Sequence, residues 1–178
     1  MRKTLLISVL GTTLALVAGT ASAANGTVNF NGEVVASTCA VANADGTGAI
    51  NVTLPKITAS QLNGGEGKRA GQTLFTIDLA DCVPASGQVG VRFVGNAAQL
   101  DQVRGLFKNT GSASNVEVGV WDQLDTQLRP AENTGGFTAI DTGTGAASIP
   151  LNAYYVSTGS AVGAGTVTSS GSFELEYK

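Results

Sequence analysis

The chain has 178 residues, ten Lys plus Arg against thirteen Asp plus Glu, no histidine, and a formal net charge of −3. Without histidine, the commonest general base and a principal zinc ligand are missing, which excludes Ser/His/Asp and Cys/His catalysis and histidine-based metal sites. The weakly acidic balance, with Lys68-Arg69 as the one adjacent basic pair outside the N-terminus, also excludes a nucleic-acid-binding face and attraction to anionic lipid.

Met1-Arg2-Lys3 is a short basic start, residues 5–18 are an apolar run, and Ala21-Ser22-Ala23 supplies the small residues that signal peptidase accepts. Residues 1–23 therefore read as an export signal cleaved after Ala23, with cleavage after Ala21 as the alternative. Retention of the run as a membrane anchor is the competing reading, but the run is short for a bilayer and broken by Gly and Thr. Cleavage after Ala23 leaves 155 residues, the size of one domain with its own core. It also removes Arg2 and Lys3, which leaves eight basic against thirteen acidic residues and a charge of about −5. The expected product is exported and soluble, without a stable membrane anchor.

The mature start alternates: Gly26, Val28, Phe30 and Gly32 share one parity of a strand expected over 27–35. Further strands are expected at 48–54, 74–79, 88–94, 103–108, 116–121, 148–156, 166–168 and 172–177, where β-branched and aromatic runs lie between turn residues. Glycine supplies 24 residues, spread between these runs, which is the texture of a turn-rich all-β domain. Phe75, Ile77 and Leu79, then Val116, Val118 and Val120, then Ile149, Leu151 and Ala153 alternate with polar or small residues, as in an antiparallel sandwich with one packed and one wet face. The strand spacing suits an immunoglobulin-like sandwich. Residues 57–62, between Pro55 and Gly64-Gly65, are expected to make one helical turn, and Gly135-Gly136 and 143–147 to mark a flexible insertion. Trp121 lies outside the interval between the cysteines, unlike the core tryptophan of antibody domains, so ordinary packing or a partly exposed edge is expected of it.

Cys39 and Cys82 are the two cysteines, and in an oxidising compartment they are expected to form one disulfide. A metal site is the competing reading, but the chain offers no histidine and no Cys-x-x-Cys. Carboxylates remain the last source of acid–base chemistry. Glu174 and Glu176 share the outward parity of the final strand, where solvated residues belong, and Asp122 and Asp125 flank a turn, so no catalytic residue is assigned. The Gly-rich stretch 159–165 lacks the Lys-Ser/Thr and the helix that a phosphate loop needs.

Taken together, Gly-Thr-Val-Asn-Phe-Asn-Gly-Glu-Val-Val at 26–35, Cys39-Ala40-Val41, Val52-Thr53-Leu54-Pro55, residues 75–82 and 115–120, and the closing run 149–177 carry a family resemblance. The closing run has Gly165 fourteenth from the end and Tyr177 penultimate. The chain resembles the major structural subunits of type 1-like and F17-like fimbriae of the chaperone-usher pathway, over nearly the whole mature length. The resemblance implies an all-β, incomplete immunoglobulin-like sandwich lacking its final strand, completed by a donor strand from a neighbouring subunit. It implies residues 24–35 as the N-terminal donor extension running into the first strand, and residues 36–178 as the pilin domain. Gly26, Val28 and Phe30 would be the donor residues. Gly165, Phe173, Leu175 and Tyr177 would form the acceptor groove and the C-terminal strand that a periplasmic chaperone binds. The implied partners are identical subunits in a filament, that chaperone and an outer-membrane usher, with no cofactor. The implied destination is the extracellular fimbrium, reached through the periplasm, where it would support adhesion. A minor tip or adaptor subunit with direct carbohydrate binding is the alternative.

Overall fold

The computed structural model describes residues 37–178. The export signal, the expected strand over 27–35 and the donor residues Gly26, Val28 and Phe30 lie outside the described residues.

Among the described residues the strands are β1 (Thr38–Val41), β2 (Arg69–Val83), β3 (Gln88–Val94), β4 (Leu100–Asp101), β5 (Leu106–Phe107), β6 (Val116–Trp121), β7 (Thr134–Ala139), β8 (Ala147–Ser157) and β9 (Ser172–Tyr177). They form a sheet ordered β1-β2-β8-β6-β5-β4 and a second ordered β7-β3-β9, antiparallel throughout. The longest ladder is β2 with β8, where Phe75 faces Leu151, Ile77 faces Ile149 and Leu79 faces Ala147. Because alternate residues share a face, this pairing aligns the apolar parities of both strands toward the core. Val89, Val91 and Phe93 of β3 meet them from the second sheet, and Phe93 packs edge-on to Phe107 at 5.4 Å. The result is an all-β sandwich with the inward and outward alternation read from the sequence.

A bulge separates Ala70 from Thr73 in the β2–β8 ladder. Gly71 sits there at φ +68°, and a Cβ would come within 2.8 Å of the Tyr155 ring, so both backbone and space require glycine. The disulfide joins Cys39 of β1 to Cys82 of β2. It fastens a four-residue edge strand to the longest strand of its sheet.

Several expected elements take a different form. Residues 48–54 are not a strand, and 50–57 make no backbone hydrogen bond among the described residues. Their start is fixed instead by Asp45, whose carboxylate accepts from the N–H groups of Thr47 and Ala49, the Thr47 hydroxyl and Asn51 Nδ2. Of the expected strand at 103–108 only Leu106–Phe107 (β5) is a strand: it pairs with β4, just before the expected range, across a turn in which Asp101 Oδ1 accepts the N–H groups of Val103 and Arg104 and Gly105 has φ +67°. Residues 166–168 are laced to 110–113 by single bonds, Thr110 N to Thr168 O at 2.8 Å and Ala113 N to Thr166 O at 3.0 Å, without forming a strand. The helical turn at 57–62 is present as a 3-10 turn at Ala59–Gln61, with the Gln61 side chain accepting from the Thr58 N–H. Gly135 and Gly136 are not an insertion: they belong to β7. At Gly136, φ is +64° and a Cβ would meet Ile149 at 2.7 Å, so these glycines let β7 approach the core.

The outer face of the larger sheet carries a second apolar cluster of Leu106, Trp121 and Val156 with Tyr154. Trp121 is buried, meets Tyr154 edge-on at 5.3 Å, and lies under the Arg69 guanidinium at 4.7 Å. Arg69 in turn makes a two-pronged contact with Asp125 at 2.6 and 3.0 Å, which lowers the Asp125 pKa. Asp122 Oδ1 accepts from the N–H groups of Leu124 and Thr126 at 2.9 Å each, so both acids serve the turn after β6.

Glu117 stands beside this cluster with Oε2 buried and without a hydrogen-bond partner among the described residues. Burial, then the charge of Asp101, push its pKa up, against the weaker pull of Arg104 and Lys108. A carboxyl raised in the folded state costs stability where it is ionised, and the cost fades as pH falls through the folded pKa toward the unfolded one. Glu117→Gln is therefore expected to raise stability at pH 7 by up to about 1 kcal/mol, discounted for partial exposure. The gain should disappear below about pH 4. Thermal unfolding of both proteins across pH 3–8 measures it, and an equal difference at every pH would contradict it.

Candidate functional site

β9 is an edge strand. It pairs with β3 on one side, with Tyr177 facing Val89, Leu175 facing Val91 and Phe173 facing Phe93, and has no strand on its other side among the described residues. The alternation of the sequence decides its faces. Phe173, Leu175 and Tyr177 pack against the main core, while Glu174 is exposed and Glu176 lies 3.8 Å from Arg92 on the outer face. The strand thus combines a row of backbone groups that have no ladder partner among the described residues with an apolar inner face already in register with the core.

Ile50 packs against the same core. Residues 50–57 therefore form a second stretch of backbone without backbone hydrogen bonds among the described residues, and its first side chain, Ile50, reaches the same interior. At its end an open cleft of about 480 Å³ lies between Ile57 and Leu62 on one side and Val162 and Val167 on the other, with Val116 and Tyr155 also in its wall. The segment 162–167 leads through residues 168–171 into β9.

Gly165 is not on β9. It precedes that strand, borders the cleft, and lies so close to the Ser112–Ala113 backbone that a Cβ would collide with Ala113 N. Its requirement for glycine comes from that close approach. Phe173, Leu175 and Tyr177 are thus on one strand, and Gly165 is on the segment that feeds it. Tyr155, Leu62 and Ile57, which wall the cleft, were not singled out by sequence reasoning. Tyr155 alternates normally within its strand, and Ile57 and Leu62 come from a distant turn, so their meeting is set by tertiary packing alone. Among the described residues no group of three or more His, Cys, Asp or Glu is placed to hold a metal ion.

Residues 28–178 match the family described as "Fimbrial protein". The chain belongs to the fimbrial protein family. This fimbrial protein is 32% identical over 160 residues to the S-fimbrial protein subunit SfaA of Escherichia coli O6:K15:H31 (strain 536), covering 86% of this chain and 83% of that one. It is also 32% identical over 179 residues to an F17 fimbrial protein of Escherichia coli, covering 96% and 97%. In fold it is similar to a chain of a solved chaperone-usher pilus, with TM-score 0.57 and 20% identity over 87% of this chain and 96% of that one. The fold of this fimbrial protein is accordingly the immunoglobulin-like sandwich of chaperone-usher pilus subunits.

Proposed function

We propose that this fimbrial protein is the repeating shaft subunit of a chaperone-usher pilus and polymerises head-to-tail by donor-strand exchange. The observation that carries this reading is β9, an apolar strand seated on the core with one edge lacking a partner among the described residues. Residues 24–35 of the next copy enter beside it, with Val28 and Phe30 directed into the apolar interior and Gly26 at the shallow position. Each buried apolar side chain contributes roughly 1.5–3 kcal/mol, and the ladder satisfies the open backbone row. Before assembly a periplasmic chaperone covers the same edge, and an outer-membrane usher is where the exchange occurs. Donor and acceptor are different surfaces of one chain, so the contact repeats without closing and builds an open helical filament on the cell surface. Binding and polymerisation complete this function without a catalytic residue or cofactor.

Immunogold labelling of a tagged copy distinguishes shaft from tip. Label along the whole filament is expected; label confined to filament ends would make the chain a minor or adaptor subunit and overturn the shaft assignment.

A further inference from the structure

The outer face of β9 carries a second set of contacts that the edge reading does not use. The chain closes with a reciprocal pair of hydrogen bonds, Lys178 N to Gln88 O and Gln88 N to Lys178 O, both 2.8 Å. The Lys178 side chain has the outward parity, opposite Tyr177, and its Nζ sits 3.5 Å above the centroid of the Phe137 ring of β7. β3 runs between them. Its Gly90 leaves the space in which Phe137 lies, since a Cβ there would come within 2.7 Å of the ring. Gly87, just before β3 and at φ +84°, lets Lys178 close in, since a Cβ there would come within 2.5 Å of Lys178 O. Glycine thus stands both within β3 and just before it where this contact crosses, and Arg92, 3.8 Å from Glu176, adds a weaker tie two residues before Lys178 on the same face.

We propose that Lys178, seated on Phe137, is a positioning residue that clasps the end of β9 to β3 and β7 from outside the sandwich and holds it in register to receive a donor strand. Lys178 directly follows Tyr177, the last residue of β9, and an edge strand with one ladder among the described residues frays most readily at its end. A cation on an aromatic face opposes fraying without occupying the inner face or the open edge of β9. Arg serves as well as Lys, because either cation stacks on the ring, whereas a neutral side chain does not.

This inference rests on the donor-strand reading, and two readouts separate them. In the mature chain, Lys178→Gln and Phe137→Leu are each expected to speed hydrogen exchange at the Lys178 amide about two- to five-fold while leaving Glu174 unchanged, with Lys178→Arg restoring the wild-type rate. Capture of a synthetic peptide of residues 24–35 should slow in Lys178→Gln and recover in Lys178→Arg, without a matching shift in the thermal midpoint. Unchanged exchange in Lys178→Gln, or identical behaviour of the Gln and Arg variants, overturns the clasp. Failure of the wild-type chain to capture the peptide overturns the donor-strand reading itself, and with it the positioning role, whatever the exchange rates show.

Discussion

Phe30→Asp is expected to abolish filaments while leaving export and the Cys39–Cys82 bridge intact. In the proposed contact Phe30 enters the apolar interior beside β9, where Phe173, Leu175 and Tyr177 already lie against Val89, Val91 and Ile149. The substitution loses the burial of a large aromatic, roughly 1.5–3 kcal/mol, and places a carboxylate where no cation awaits it, at a further cost of several kcal/mol. Together these exceed about 4 kcal/mol, a loss of about a thousand-fold or more in the affinity of every subunit junction. A filament consists of such junctions in series, so the effect on assembly is close to complete. Asn29→Asp is the parity control: in the proposed contact position 29 has the parity opposite to Val28 and Phe30, so filaments are expected to persist. Electron microscopy of both variants decides the matter, and normal filaments on Phe30→Asp would contradict the donor assignment.

Replacing both cysteines, Cys39→Ser with Cys82→Ser, is expected to remove about 4 kcal/mol of stability, from the closure entropy of a loop spanning a separation of 43 residues. A typical domain has about 5–15 kcal/mol in total, so the loss takes between about a quarter and most of its stability. The structure makes the bridge important for a local reason as well. β1 is four residues long, lies at the end of its sheet and has alternating exposed residues, so its own ladder holds it weakly. Cys82, by contrast, is buried and its N–H donates to Gly145 O at 2.9 Å. The bridge fastens a short edge strand to a buried point of the core. Urea unfolding of oxidised wild type and the double variant measures the difference; a loss under about 1 kcal/mol would contradict it.

Much of the sandwich was legible because burial in strands follows a period of two. Phe75, Ile77 and Leu79 against Ile149, Leu151 and Ala153 could be read as one core face before their pairing was known, and the ladder sets Phe75 opposite Leu151 and Ile77 opposite Ile149. The outward role of Glu174 was legible for the same reason. The missed elements share a different cause. β7 contains Gly135-Gly136, which reads as a breaker by composition, yet these glycines are present because Leu128 and Ile149 press against the strand. Residues 48–54 have strand composition but no ladder among the described residues, since a strand is defined by its partner and not by propensity alone. At the site, the parity of Phe173, Leu175 and Tyr177 was visible locally, whereas the cleft between Ile57 and Val167 joins segments about a hundred residues apart and leaves no periodic signal. The Lys178–Phe137 contact is equally silent in sequence, because nothing in either neighbourhood points to the other.

The central claim is that β9 receives a strand from another copy of this chain. A helical reconstruction of purified filaments, with the N-terminus of the subunit sequenced from the same preparation, tests it most directly. The predicted density shows residues 26–30 of one subunit as a strand hydrogen-bonded along β9 of its neighbour, with Val28 and Phe30 facing inward and the sequence starting at Ala24. Filaments in which the β9 edge faces solvent, or is paired with the same chain's own residues 26–30, would contradict it.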